Sequence, residues 1–186
     1  MSERRRTTAI RLATAGICLA AAAAGFDPTP ASAQGPPCTA DEAFHALDFW
    51  RGEWTVWVDG TRVGTNRIRA VQGGCAVEEH WEDVNGGTGQ SLFYYLPVEA
   101  VWKQVWVTPG ARVAGGVKEK VGVDGAPEGA VRFRGTIRRA DGVTYEDRTT
   151  LTPLPGGRVR QHIEISTDGG ASWRTTFDAE YRPAGG

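Results

Sequence analysis

The sequence predicts an all-β protein, with a single antiparallel closed β-barrel of about ten strands and a short N-terminal helix. Turn signals recur at short, regular intervals from Gly52 onward. Between them, apolar and polar residues alternate with the period of a β-strand. A sheet of this many strands is better closed than left with two exposed edges.

The turn signals are glycine-containing pairs and triplets of the kind that favours tight hairpins. They are Asp59-Gly60, Gln72-Gly73-Gly74, Asn85-Gly86-Gly87, Pro109-Gly110, Asp124-Gly125, Asp141-Gly142, Pro155-Gly156-Gly157 and Asp168-Gly169-Gly170.

The segment that leads into the first strand is rich in tryptophan. A helix is predicted over residues 39–47, capped by Thr39 and lying across one end of the barrel. Trp54 follows a glycine at the start of the first strand and is predicted to plug that end. Trp50 is expected beneath the helix, whereas Trp57 falls on the outward parity.

Residues 1–33 have the composition of a cleaved signal peptide. Four arginines accompany an apolar run, 12–24, that is too short to span a bilayer, and Ala31-Ser32-Ala33 fits a signal-peptidase site. We expect export to the periplasm or the cell exterior. An N-terminal arm with the short helix (34–48) and the barrel domain (49–186) would then remain. A retained membrane anchor is the alternative.

Charge and cysteine content narrow the possible partners. Residues 1–33 carry four of the 21 basic and two of the 22 acidic residues, so 17 basic and 20 acidic residues remain. The sequence has no basic patch of the kind that would favour binding to nucleic acid. Cys38 and Cys75 predict a disulfide in an exported chain, although two separate thiols are possible. In the chain-entropy model, closing a loop of this length with a disulfide stabilises the fold by about 4 kcal/mol.

Strand alternation identifies the side chains that face the interior. Glu79 and Trp81 share the inward face of the third strand, and Gln104 lies inward on the fifth. Residues 143–151 are ambiguous, since their apolar parity would bury Asp147 unless a bulge intervenes. The inward residues of the last two strands are Val159, Gln161, Ile163 and Ile165, and then Thr175, Phe177, Ala179 and Tyr181.

The predicted interior is apolar and rich in tryptophan, with few polar groups, as is typical of a small-molecule pocket. A solid core, in which Glu79 pairs with Asn66 or Gln104, is the alternative. The candidate ligand-binding residues are Asn66, Glu79, Trp81, Tyr95, Trp102, Gln104, Trp106 and Gln161.

Familiar catalytic and cofactor motifs are absent from the sequence. There is no metal-ligand spacing, phosphate loop, dinucleotide fingerprint or Gly-x-Ser-x-Gly elbow. Residues 166–173 match the Asp-box pattern Ser-x-Asp-x-Gly-x-Ser/Thr-Trp. A single copy predicts a hairpin rather than a glycosidase.

Several motifs together resemble a family of secreted bacterial domains of unknown function, the one numbered 1579. That family is similar to the calycins, which include lipocalins and fatty-acid-binding proteins. The resemblance implies a barrel that binds something apolar, and it supplies no catalytic residue. The motifs are Phe49-Trp50-x-Gly52-Glu53-Trp54, Gly64-Thr65-Asn66-Arg67-Ile68, Gly74-Cys75-x-x-x-Glu79-x-Trp81, Trp102-x-Gln104-x-Trp106, Arg160-Gln161, Ser166-x-Asp168-Gly169-Gly170 and Tyr181-Arg182.

Nitrobindin, a haem barrel, is similar in fold and raises the question of a haem cofactor. Haem there needs an axial histidine inside the barrel. His80 and His162 fall on the outward parity and His45 on the helix, so no cofactor is expected. A shifted register in the ninth strand would bring His162 inside.

Three functions fit these observations. The leading hypothesis is a non-enzymatic carrier of a small, largely apolar, uncharged molecule, without stable membrane insertion. The second is an isomerase, cyclase or hydratase acting on a hydrophobic metabolite, with Glu79 as general acid or base and with Asn66, Gln104 and Gln161 orienting the substrate. The third is a cell-envelope structural or interaction module that has no pocket.

Overall fold

The computed structural model describes residues 38–110 and 116–185, and the predicted signal peptide lies outside these ranges. Ten antiparallel strands each pair with their neighbour in sequence, and β1 pairs with β10, so the barrel is closed as predicted. The strands are β1 (Gly52–Val58), β2 (Thr61–Val71), β3 (Ala76–Asp83), β4 (Thr88–Leu96), β5 (Val101–Val107), β6 (Val117–Gly122), β7 (Val131–Arg138), β8 (Thr144–Leu154), β9 (Arg158–Ser166) and β10 (Arg174–Pro183).

The N-terminal segment forms three short 3-10 helices, Cys38–Ala40, Glu42–His45 and Asp48–Trp50. The single helix expected over residues 39–47 with a Thr39 cap is therefore wrong in its bounds. The Asp41 side chain accepts a hydrogen bond from the backbone N–H of Ala43 at 3.0 Å, which starts a new turn inside the expected helix. Among the described residues, no helix is long and apolar enough to cross a membrane.

These short helices close one end of the barrel. Leu47 and Trp50 are fully buried beneath them. The indole N–H of Trp54 donates to the carbonyl of Trp50 at 3.0 Å, and that of Trp102 donates to the carbonyl of Ala43 at 3.0 Å. Buried aromatic rings thus hold the N-terminal segment against the barrel by packing and by hydrogen bonding.

Cys38 and Cys75 form a disulfide, as predicted. Cys75 follows the 3-10 turn Gln72–Gly74, which connects β2 to β3. The bond therefore ties the N-terminal segment to the β2–β3 connection at the closed end.

The Asp-box residues form the β9–β10 hairpin, where their interactions are local. Asp168 accepts hydrogen bonds from the Ser166 hydroxyl and from the backbone N–H of Ser172, which lower the pKa of its carboxyl. The Trp173 ring lies on the outer surface, 4.0 Å from the Arg148 guanidinium. The motif is structural in this chain, as its single copy predicted.

Simple alternation is wrong at one position of β10 and correct throughout β8. The expectation that Thr175 faces inward is wrong, because a register shift between Thr175 and Phe177 turns it out, where its hydroxyl lies 2.9 Å from His162 Nε2. In β8 the pairing is continuous with both neighbours, and Asp147 is fully buried. Its apolar parity was therefore the correct one.

Candidate functional site

Nine buried polar side chains from eight strands form a belt around the middle of the interior. The belt lies between the apolar core at the closed end and the other half of the barrel. Its members are Asn66, Glu79, Ser91, Gln104, Lys120, Asp147, Thr149, Gln161 and Tyr181.

Glu79 is the centre of the first half of the belt. Its two carboxyl oxygens accept hydrogen bonds from Asn66 Nδ2 and from the Ser91 hydroxyl, each at 2.7 Å. The Ser91 oxygen in turn accepts from Gln104 Nε2 at 3.1 Å. Because these residues lie on adjacent strands β2 to β5, the sheet register brings them together. Of the two pairs that the solid-core alternative offered for Glu79, the one with Asn66 is present, whereas Gln104 reaches Glu79 only through Ser91.

The belt continues past β1 through Tyr181. Asn66 Nδ2 also lies 3.3 Å from the Tyr181 hydroxyl, which donates to Gln161 Oε1 at 2.6 Å. Burial raises the pKa of Tyr181 well above its usual value, so the hydroxyl keeps its proton and serves as a donor.

Burial raises the pKa of Glu79, because a carboxylate loses its hydration inside the barrel. Hydrogen bonds from Ser91 and Asn66, and the positive charge of Lys120, offset part of this effect. The outcome is a carboxyl group that holds its proton to a higher pH than an exposed glutamate.

Two hydrogen arrangements fit the chain from Glu79 to Gln104, since hydroxyl and amide orientations do not follow from heavy-atom positions. With Glu79 ionised, Ser91 donates to it, and Gln104 Oε1 is buried without a partner in the described residues. With Glu79 protonated, Glu79 donates to Ser91 and Ser91 donates to Gln104, whose amide has turned over. Glu79 can thus change protonation state without breaking the chain.

The second half of the belt contains charged groups, and Lys118 of β6 lies beside it. Lys118 Nζ donates to Asp147 Oδ2 at 2.7 Å, while Lys120 Nζ contacts Asp147 Oδ1 and donates to the Thr149 hydroxyl at 2.6 Å. These contacts join β6 to β8 across β7. Gly135 of β7 pairs directly with Asp147 in the sheet. A Cβ on Gly135 would overlap the backbone of Glu119, so only glycine lets these strands approach so closely.

Lys120 and Asp147, which are both buried, shift each other's pKa. Burial lowers the pKa of Lys120 to about 8, against the attraction of Asp147. Burial alone would raise the pKa of Asp147, but the two ammonium groups hold it below its usual value. Asp147 therefore stays ionised, and Lys120 is mostly charged at neutral pH.

A cavity of about 270 Å³ lies against the belt, in the half of the barrel away from the N-terminal segment. Next to it, a Cβ on Gly89 would overlap the Trp106 indole, so this glycine makes room for the ring. The cavity is lined by Glu79, Trp81, Gln104, Trp106, Lys118, Lys120, Thr149, Gln161, Ile163, Thr176, Phe177 and Tyr181.

The structure brings five of the eight candidate ligand-binding residues to this cavity: Glu79, Trp81, Gln104, Trp106 and Gln161. The other three do not line it. Asn66 belongs to the belt, while Tyr95 and Trp102 pack with Phe44 and the rest of the N-terminal segment at the closed end.

The lysines of β6 are the main site residues that sequence reasoning missed. Val117 and Val121 are 44% and 42% exposed, so the polar parity of this strand is the inward one. The register of the β5–β6 hairpin carries the signal, because Lys120 pairs with Gln104 and Lys118 with Trp106. Directly paired residues share a face, and strand alternation predicts that Gln104 and Trp106 face the interior.

A larger depression of about 780 Å³ lies beside β2, β3 and β4. Thr65, Arg67, His80 and Glu82 form much of its lining and alternate with the inward residues of their strands. It is therefore mainly a feature of the hydrated outer surface. The interior cavity, where buried polar and aromatic groups converge, is the better candidate site.

The residues around the interior cavity do not fit a haem, because none of the three histidines lines it. His80 and His162 bond to Gln90 and Thr175 on the outer face. Within 38–110 and 116–185, no group of three or more His, Cys, Asp or Glu side chains is arranged to hold a metal ion.

No protein-family model matches this chain, and no curated protein matches it. The resemblance to the secreted bacterial family stays a prediction.

Replacing Glu79 with Gln should remove a pH-dependent loss of folding stability. Because the folded-state pKa of Glu79 is raised, the wild-type free energy of unfolding should fall, relative to Glu79→Gln, as the pH rises above 4.5 through the raised pKa. Urea denaturation from pH 4.5 to neutrality measures this difference. Glu78→Gln, on the outer face of the same strand, is the matched control. A difference that stays constant over this range would contradict the raised pKa.

Replacing Asp147 with Asn should destabilise the protein strongly. Lys120 would stay buried without a carboxylate, and the expected loss is about 3–5 kcal/mol. Asp178→Asn breaks the exposed Arg160–Asp178 pair and should cost at most about 1 kcal/mol. Urea denaturation of both variants checks the comparison, and similar small losses would show that the buried pair contributes little.

Proposed function

We propose that this protein is an exported carrier that binds a small, largely apolar ligand in the interior of its barrel. The observation that carries the proposal is the cavity itself, which the indoles of Trp81 and Trp106 line on one side and the polar belt on another. Small-molecule sites combine such apolar walls with a few placed polar groups. A cell-envelope module without a pocket fits this interior less well.

The cavity volume sets the scale of the ligand. A dry cavity of about 150 Å³ is enough for benzene. A volume of about 270 Å³ therefore suits a bicyclic or medium-chain molecule rather than a long lipid. The Cys38–Cys75 disulfide supports a location outside the reducing cytoplasm.

Binding is tested with uncharged apolar probes, 1-octanol and naphthalene, by calorimetry and by tryptophan fluorescence. Wild-type protein should bind both. Ile163→Trp places an indole in the cavity. Binding should weaken by about tenfold or more, because the indole fills volume that the probe needs.

Leu92→Trp is the matched control, because Leu92 lies on the outer face of β4 and is 41% exposed. It should bind the probes as the wild type does. Folded wild-type protein that binds neither probe, or Ile163→Trp protein that binds them with unchanged affinity, would overturn the proposal.

An enzyme is the second candidate function, and Glu79 is the specific observation that favours it. Its carboxyl lines the cavity, has a raised pKa and can exchange its proton while the hydrogen bonds to Ser91 and Asn66 persist. Such a group could remove a proton from carbon next to a carbonyl.

Deuterium exchange at the α-carbons of 2-octanone, followed by NMR in D₂O, separates the enzyme from the carrier. An enzyme of this type should accelerate exchange above the rate in buffer, and Glu79→Gln should abolish the acceleration. Exchange at the buffer rate, or equal acceleration by the variant, would reject the acid–base role.

A further inference from the structure

The wall of the cavity formed by β6 has more positive than negative groups. Lys118 and Lys120 both point into the interior, and they share a single carboxylate, that of Asp147. Each Asp147 oxygen is already occupied by one ammonium group. This cluster of three groups therefore has a net charge of +1 when both lysines are protonated.

The ammonium groups also have unused hydrogen-bonding capacity. Each carries three N–H donors. Within the described part of the chain, Lys118 Nζ bonds only to Asp147, and Lys120 Nζ bonds to Asp147 and Thr149. Three donors thus remain for a group that enters the cavity. The Lys120 ammonium group is buried, and excess positive charge at a buried site is costly unless an anion balances it.

The other side of the cavity is apolar. The Trp81 and Phe177 rings meet edge to face with centroids 6.3 Å apart, and Ile163 lies in the same lining. These residues come from β3, β10 and β9, whereas the lysines come from β6. The cavity therefore presents a cationic wall and an aromatic wall, which is the arrangement that suits an amphiphilic ligand.

We propose that the ligand is a small apolar molecule with one negative charge, such as a medium-chain or aromatic carboxylate, and that Lys118 and Lys120 bind its anion. Its apolar part packs against Trp81 and Phe177. This inference rests on the proposed carrier function and replaces the uncharged ligand that the sequence suggested.

Charge balance favours a monoanion over a phosphate monoester. One negative charge brings the Lys118–Lys120–Asp147 cluster to neutrality, whereas two would leave an excess negative charge inside the barrel. Glu79 is nearby, and the positive charge of Lys120 acts on its carboxyl. The two Glu79 oxygens accept hydrogen bonds from Asn66 and Ser91 rather than from the lysines, so the remaining lysine donors stay available to the anion.

The test compares three probes that share one alkyl chain: octanoate, 1-octanol and octylammonium, titrated into the full chain by calorimetry at neutral pH. Octanoate should bind at least about tenfold more tightly than octanol, as expected from one charge-assisted hydrogen bond. Octylammonium should bind most weakly. Lys118→Met should abolish the preference for octanoate, since it removes the excess charge and leaves the Lys120–Asp147 pair in place.

Lys103→Met is the matched control, because Lys103 pairs with Glu99 on the outer face of β5. It should keep the wild-type preference. Lys118→Gln, which keeps a donor but removes the charge, replaces Lys118→Met if that variant does not fold, and it should show the same loss.

The outcomes separate this inference from the proposed function. Equal binding of octanoate and octanol, tighter binding of octylammonium, or a preference that survives both Lys118 variants would overturn the anionic ligand while leaving a carrier. Binding of none of the three probes by folded wild-type protein would overturn the carrier as well.

Discussion

Closure of ten antiparallel strands forces about every second side chain into the interior, where each polar group needs a partner. Among the described residues, the nine polar side chains of the belt lie there, and partners on neighbouring strands satisfy most of them. The belt therefore depends on strand register. A slip of one residue in β3 would turn Glu79 outward and leave Asn66 and Ser91 without their acceptor.

Missing side chains are as important to the interior as those present. Gly135 lets Asp147 of β8 reach the lysines of β6 across β7, and Gly89 leaves space for the Trp106 indole. A Cβ at either position would overlap its neighbour. The ion-pair cluster and the cavity beside it thus exist because glycine interrupts the wall where bulk would separate the strands or displace a ring.

The hairpin turns and the alternation of β3 and β5 were sufficient to predict the closed barrel and the inward positions of Glu79 and Gln104. The disulfide was predicted from the two cysteines of a chain expected to be exported. Strand alternation did not identify the inward side chains of β6, and it gave the wrong face for Thr175. In β6 the valines face outward and the lysines inward, an inversion that only pairing with β5 reveals. At Thr175 a bulge breaks the period of two, and the sequence carries no distinct signal for it.

The charged half of the belt does little for folding that apolar side chains could not do. Buried ion pairs commonly contribute no more than well-packed hydrophobic residues of similar volume. Lys120 and Asp147 stabilise each other, but each also bears the cost of its own burial. A barrel selected only for stability has no need of this cluster, and none of a cavity beside it. An anion that enters the cavity would use the remaining donors of Lys118 and Lys120, while the rings of Trp81 and Phe177 cover its apolar part. Binding of such a molecule therefore explains together the three features that folding alone does not: the shared carboxylate, the empty volume and the aromatic wall opposite the lysines.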